Sequence, residues 1–169
     1  SFHGYVDVFV SKLNGDLTGL LASTFLGGDL REEGESIAVD TGGNIYVAGF
    51  TWTSDFPVTP DAYDTSPNGS VDAFVSRLNG DLTSLLASTY LGGVSSDDAH
   101  FIAIDTGGNV YVAGSTYSSN FPTTTGVYDT SYNGGEGDAF VSKLNGDLTS
   151  LLASTYLGGS ADDFAYSLA

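Results

Sequence analysis

The sequence has no cysteine and no methionine, and only four of its 169 residues are basic. Without cysteine there is no disulfide to staple the fold and no thiol chemistry. Four bases stand against 21 acids, a net charge of −17, so the surface repels nucleic acid and anionic lipid headgroups. No run approaches the 18 or so apolar residues of a membrane-crossing helix, so membrane insertion is not expected. Lys, Arg and Glu, which favour helices, are scarce. No signal peptide is visible, and the first residues already fall inside a repeat, as they would if the natural N-terminus lay elsewhere.

What is abundant fits short strands and tight turns: 23 Gly, 10 Tyr and 10 Phe in a chain that is 41% hydrophobic. The acids are mostly Asp in predicted turns, where their side chains hydrogen-bond the backbone. Ser, Thr, Tyr, Asn and Gly are rich and Lys is rare, which points to an extracellular or cell-surface location.

The chain is built on a repeat. The stretch Asp72–Asp81 returns as Asp138–Asp147, with Lys143 in place of Arg77. It stands earlier as Asp7–Asp16, with Val8 in place of Ala73, so the offsets are 65 and 66 residues. Leu78–Gly93 and Leu144–Gly159 are identical over sixteen residues. A second block, Ile37–Gly49, returns as Ile102–Gly114, and a third copy begins at Ser167-Leu168-Ala169.

Each unit holds four strand-like runs, read as 99–105, 109–116, 72–79 and 85–91. Asp40, Gly42, Gly43 and Asn44 join the first two, as do Asp105, Gly107, Gly108 and Asn109. Asn79-Gly80 and Asn145-Gly146 join the last two. Asn-Gly predicts a type I′ turn with φ > 0 at both central residues, and the Gly-Gly pairs are expected to serve the same need. Asp105 is placed to accept hydrogen bonds from turn amides. Val110 and Val112 point one way and Tyr111 and Ala113 the other, so the strand is apolar on both faces. A sandwich strand with one wet face would alternate more cleanly. A parallel β-helix, the main competitor, has rungs of roughly 20–30 residues and needs no Asn-Gly hairpins. The expected fold is all-β: four-stranded antiparallel blades of a β-propeller.

At residues 138–159 (DAFVSKLNGDLTSLLASTYLGG), 103–116 (AIDTGGNVYVAGST) and 118–130 (SSNFPTTTGVYDT) the sequence resembles the SBBP β-propeller repeat family. The hairpin DTGGNVYVAG also looks like the inner hairpin of NHL-type propellers. The resemblance implies a blade order with 99–105 innermost and 85–91 outermost. It also implies a large secreted or surface-attached protein, and it transfers no catalytic residue.

By this count the chain holds eleven strands: an outer hairpin within 1–35, complete blades over 36–93 and 94–159, and an inner strand of a next blade in 160–169. That is about two and three-quarter blades, where propellers close with four to eight. The expected partners are therefore further blades of a longer chain or other copies of itself, with glycans as a second class.

Alternating connections put the tight turns on one end of the disc and the long loops, 51–71 and 117–137, on the other, where binding is usually carried. That end collects Trp52 and Tyr117 at equivalent positions, Phe56-Pro57 and Phe121-Pro122, Glu32-Glu33, and the pairs Asp97-Asp98 and Asp162-Asp163. Exposed rings there would stack on sugars. The Asp pairs could supply carboxylates to Ca²⁺, which needs six to eight oxygens, or could order the blade-to-blade link. Phe56 and Phe121, with Tyr63 and Tyr128, are expected to tuck each long loop onto its own blade. The two histidines, His3 in a loop and His100 in an inner strand, are non-equivalent, and no triad or zinc spacing accompanies them. The expected function is a non-enzymatic structural or binding propeller module acting as surface scaffold, in adhesion or in filament assembly. A glycan-binding propeller is the alternative, and a propeller domain of a carbohydrate-active enzyme rests on fold analogy alone.

Overall fold

A computed structural model describes residues 4–168, and His3 lies outside them. The described residues form ten strands: β1 (Val8–Leu13), β2 (Leu20–Leu26), β3 (Glu32–Val39), β4 (Ile45–Thr51), β5 (Asp72–Leu78), β6 (Leu85–Leu91), β7 (Asp97–Ile104), β8 (Val110–Thr116), β9 (Asp138–Leu144) and β10 (Leu151–Leu157). They make a two-stranded sheet β1-β2 and two four-stranded sheets, β3-β4-β5-β6 and β7-β8-β9-β10. Every neighbouring pair is antiparallel. The described residues thus hold one outer hairpin and two complete blades, and the expected strand order is found. Complete blades begin at Glu32 and Asp97, so the first of them starts four residues before the expected position 36.

Consecutive blades pack face to face because their strands are apolar on both sides. Val8, Val10 and Leu26 of the outer hairpin meet Ile45, Val47 and Phe74 of the second blade. Tyr46, Val75 and Leu91 on the second blade's other side meet Val112, Phe140, Leu144 and Tyr156 of the third. We call the side of a blade that meets the following blade its forward face, and the other its backward face. Burying one such aromatic or branched side chain is worth roughly 1.5–3 kcal/mol. Each long loop also closes the outer edge of its own blade. Thr59 N–H donates to Ser88 O (3.0 Å) and Tyr90 N–H to Asp64 O (3.1 Å), and Thr124 and Tyr156 repeat this with Ser154 and Asp129. The outermost strands β6 and β10 are thereby protected from edge pairing.

The hairpin turns differ from the type I′ expectation. Asn79 and Gly80 do not take positive φ; Leu82 does, at 56°, and so do Leu17 (59°) and Leu148 (56°). Leu82 N–H donates to Asn79 O (2.9 Å), and Asn79 Oδ1 accepts from Thr83 and Ser84 N–H (2.8 and 3.0 Å). The loop is a type I turn followed by one left-handed residue, a longer hairpin connection. Gly80 is needed for close approach instead: a Cβ there would lie 2.7 Å from Gly43 O. In the inner hairpins only the second glycine is left-handed, Gly43 at 82° and Gly108 at 81°. Asp105 acts as expected, accepting from Gly107 and Asn109 N–H (2.9 and 2.8 Å).

The eleventh strand does not form. Asp163 N–H donates to Gly137 O (2.8 Å), matching Asp97 to Val71 O (3.0 Å) and Glu32 to Val6 O (2.8 Å), so the link enters like the others. Residues 160–168 nevertheless pair with no strand. An innermost strand is hydrogen-bonded only by the second strand of its own blade, and the described residues contain no such strand beyond it.

Candidate functional site

Trp52 and Tyr117 each follow the last residue of a blade's second strand, β4 or β8. Trp52 N–H donates to Arg31 O (3.0 Å) and Tyr117 N–H to Ser96 O (2.9 Å), so the two are structurally equivalent. Trp52 keeps 37% of its surface exposed, and Tyr117 is half-buried. The Arg31 guanidinium lies 4.9 Å from the indole centroid, and Phe50 meets it edge-on at 5.1 Å. Phe50, Trp52, Val71, Ser96, Asp98 and Tyr117 line a cleft of ≈330 Å³ between the second and third blades. On its other side Trp52 borders a hollow of ≈460 Å³ with Asp29, Ser54, Asp55 and Ser70. The long-loop end therefore presents three rings, Phe50, Trp52 and Tyr117, and a carboxyl group around one cleft.

Asp98 is the one carboxylate among the residues lining the ≈330 Å³ cleft. Burial, then the neighbouring Glu35 and Glu33, push it up to about 6. His100 lies at a bulge in β7, between Ala99 and Phe101, with its ring stacked on Tyr166 at 5.2 Å and Nε2 3.1 Å from Ser115 Oγ. Burial pushes its pKa down, against the pull of Glu35. A single carboxyl in the cleft can hold a sugar hydroxyl but lacks the facing partner that glycoside hydrolysis uses.

The two Asp pairs do not correspond to one another. Asp97 is matched by Asp163 and by Glu32: these accept the N–H of Gly93 (2.7 Å), Gly159 (2.7 Å) and Gly28 (3.1 Å). Asp98 turns to the cleft, and Asp162 accepts from Glu136 N–H in the neighbouring loop. Each link glycine also faces a second carboxylate, from Asp7, Asp72 or Asp138. A Cβ on Gly27, Gly92 or Gly158 would lie within 3.1 Å of an oxygen from both acids. Sequence reasoning missed these pairs because the two members lie 25 residues apart in one copy. Burial pushes Asp72 up to about 6, with Asp97 adding to it after the opposing pull of the Asn68 and Gly69 amides. Burial raises Asp97, Asp138 and Glu32 as well. Among the described residues no three His, Asp or Glu side chains converge as a metal cluster. One oxygen of Asp97, Asp138 and Asp163 accepts a backbone N–H, while Asp97 Oδ1 and Asp138 Oδ1 are buried without a hydrogen-bond partner among the described residues. Asp97 and Asp163 thus order the blade-to-blade link.

Phe56 and Phe121 do tuck the long loops onto their own blades, 4.4 Å from Phe74 and 4.3 Å from Phe140. Tyr63 and Tyr128 do not. Tyr63 crosses to the third blade, its N–H donating to Leu148 O (2.8 Å), while its counterpart Tyr128 is 84% exposed. The tyrosine spans a joint, so it is covered only where a following blade is present.

Sequence reasoning also passed over the cations. Three of the four stand at one position of the repeat: Lys12, Arg77 and Lys143. Lys12 Nζ donates to Gly80 O of the next blade (3.0 Å). Arg77 donates to Gly146 O (3.3 Å) and Asp147 Oδ1 (3.0 Å) of the next blade, over the Tyr46 ring and 3.8 Å from Asp40 of its own. The signal was a base kept in every copy of a chain that has almost none.

A family model of the SBBP beta-propeller repeat matches residues 26–57 and 88–122. No curated protein matches the chain. Each matched stretch runs from an outermost strand through the Gly-Gly link and the inner hairpin to the Phe-Pro element that anchors the long loop. These two stretches are SBBP β-propeller repeats, and the sheets they thread together are propeller blades.

Proposed function

We propose that this chain is a non-enzymatic structural module of an extracellular or cell-surface protein, a scaffold of stacked blades. The observation that carries the reading is where the polar chemistry goes. Buried acids, two of the four cations and the crossing tyrosine are spent on joints between blades, at positions that recur with the repeat. Recurrence of this kind serves packing; a specific site rarely repeats with every blade. Two tests bear on it. Polysaccharides incubated with the protein should release no reducing ends, and turnover would overturn the non-enzymatic reading. An antibody to the chain should label intact source cells; label appearing only after lysis would overturn the surface location.

A second reading, glycan binding, is favoured by the exposed Trp52 beside Tyr117 and the Asp98 carboxyl. Aromatic faces beside a hydrogen-bonding carboxyl suit a pyranose ring. Binding to a glycan array that is lost in Trp52→Ala/Tyr117→Ala would support it, and an array that stays dark would end it.

A further inference from the structure

The two ends of the described structure are unfinished in complementary ways. On the third blade's forward face, Lys143 lies over Tyr111 (4.9 Å) and 3.5 Å from Asp105, which is the own-blade half of the arrangement Arg77 makes with Tyr46 and Asp40. What Lys143 lacks among the described residues is the other half, the Asn-Gly-Asp turn of a following blade. Beside it Tyr111, Val141, Ala103, Ile104 and Leu168 line an apolar hollow of ≈540 Å³.

At the opposite end the turn Asn14-Gly15-Asp16 has no cation against it among the described residues. A Cβ on Gly15 would meet nothing within 4 Å, where one on Gly80 or Gly146 would clash with a neighbouring turn. Among the described residues the backward face next to it is open at Phe9 and Leu17. Phe9 is 69% and Leu17 74% exposed, whereas Phe140 and Leu148, the same residues in the third blade, are fully buried against the second.

We propose that a second copy of this chain docks its β1–β2 hairpin on the forward face of β7–β10, head to tail, with Lys143 of one copy clasped to the Gly15 carbonyl and the Asp16 carboxylate of the next. The contact repeats an interface the molecule already contains. Phe9, Leu13 and Leu17 correspond to Phe140, Leu144 and Leu148, which cover Tyr46 and Val75 at the joint between the second and third blades. Tyr111 and Val141 are the counterparts of Tyr46 and Val75. Tyr128 would cross to Leu17 O as Tyr63 crosses to Leu148 O. The charges match in sign and position, since Asp16 is the counterpart of Asp147, which Arg77 holds. The inference rests on the scaffold reading. Glycan binding and polysaccharide turnover do not depend on mass or contact map, so either reading can fail alone.

The chain has two lysines, Lys12 and Lys143, which makes zero-length carbodiimide cross-linking readable residue by residue. On the full chain it should yield covalent dimers and larger species of twice the 17.4 kDa mass and upward, with an isopeptide between Lys143 and Asp16 or its immediate neighbours in the turn. Leu17→Asp alters a side chain that is mostly in solvent, so it should keep the β circular-dichroism spectrum and reduce the cross-linked dimer at least tenfold. Asp16→Lys should do the same, and mixing it with Lys143→Glu should restore dimers between the two variants. Cross-links confined within one chain, dimers joined through other residues, or dimers indifferent to Leu17→Asp would each overturn the proposal.

Discussion

The joint between the second and third blades and the two open faces are made of corresponding residues of the repeat and differ chiefly in having a neighbour. Leu78–Gly93 and Leu144–Gly159 are identical, yet Leu91 is fully buried while Leu157, its copy on the open forward face, is 41% exposed. Phe74 and Phe140 are buried where Phe9 is not. Burial in this molecule is thus decided by whether a blade adjoins that face, not by the residue. Apolar strands on an isolated face are a liability, and a repeat that keeps them on every blade is built to be covered.

Truncating the same ring on both sides strikes this contrast where the expected effect is greatest. Phe140→Ala should cost about 3–5 kcal/mol in urea unfolding, through lost burial and the cavity left behind. Phe9→Ala should cost less than about 0.5 kcal/mol in dilute protein, as for other exposed positions. Equal losses would show that the open face is not open.

The buried acids sharpen it through pH. Asp72 is raised from 3.8 to about 6 in the folded chain, mainly by burial, so the folded state holds its proton more tightly than the unfolded chain does. Stability from this group is complete below about pH 4 and is lost as pH rises through 6. At about 1.4 kcal/mol per pKa unit, the one unit between the folded value and pH 5 should give the joint about 1.4 kcal/mol between pH 8 and pH 5. Asp72→Asn should flatten that rise, and an unchanged pH profile would refute the assignment. Asp105, lowered to about 2 by Asn109 and the turn amides, acts in the opposite sense: its support is lost only as pH falls from about 4 toward 2.

A smaller effect separates the clasps. Arg77→Ala should lower stability by about 1–2 kcal/mol, because it removes a charged hydrogen bond to Asp147 and leaves the Gly146 carbonyl with one donor, the Tyr46 hydroxyl at 3.1 Å. Lys143→Ala, at the open face, should change the dilute protein by less than about 0.5 kcal/mol. The smallest effect reverses sign. Leu17 and Leu82 share a left-handed backbone, which costs a non-glycine residue roughly 1–2 kcal/mol. Leu17→Gly should therefore stabilise by about 0.5–1 kcal/mol, since little burial is lost. Leu82→Gly, which empties a buried site, should destabilise. Thermal melts of the two variants moving in the same direction would contradict this.

Much of the fold was legible because its signals are local. Two hairpins per unit, strands apolar on both faces and a repeat of 65 or 66 residues are all read directly from the sequence, while the inner-to-outer strand order came from the family resemblance. The turn type was not legible. Asn79-Gly80 reads as type I′, but a nearby carbonyl, Gly43 O, demands the glycine, and the left-handed angle falls on Leu82, as it does on Leu17 and Leu148. The acids were read as pairs of sequence neighbours, Asp97 with Asp98 and Asp162 with Asp163. The pairing that the fold makes is across the link, Asp72 with Asp97 and Asp138 with Asp163. Tyr63 and the strand cations act between blades, and a reading that treats each repeat alone does not reach them.

The central claim is that these blade faces exist to be covered by blades of their own kind. Light-scattering mass across a concentration series tests it most directly. The account predicts a mass that climbs above 17.4 kDa with concentration and falls back in Leu17→Asp. A stable 17.4 kDa monomer at every concentration would contradict it.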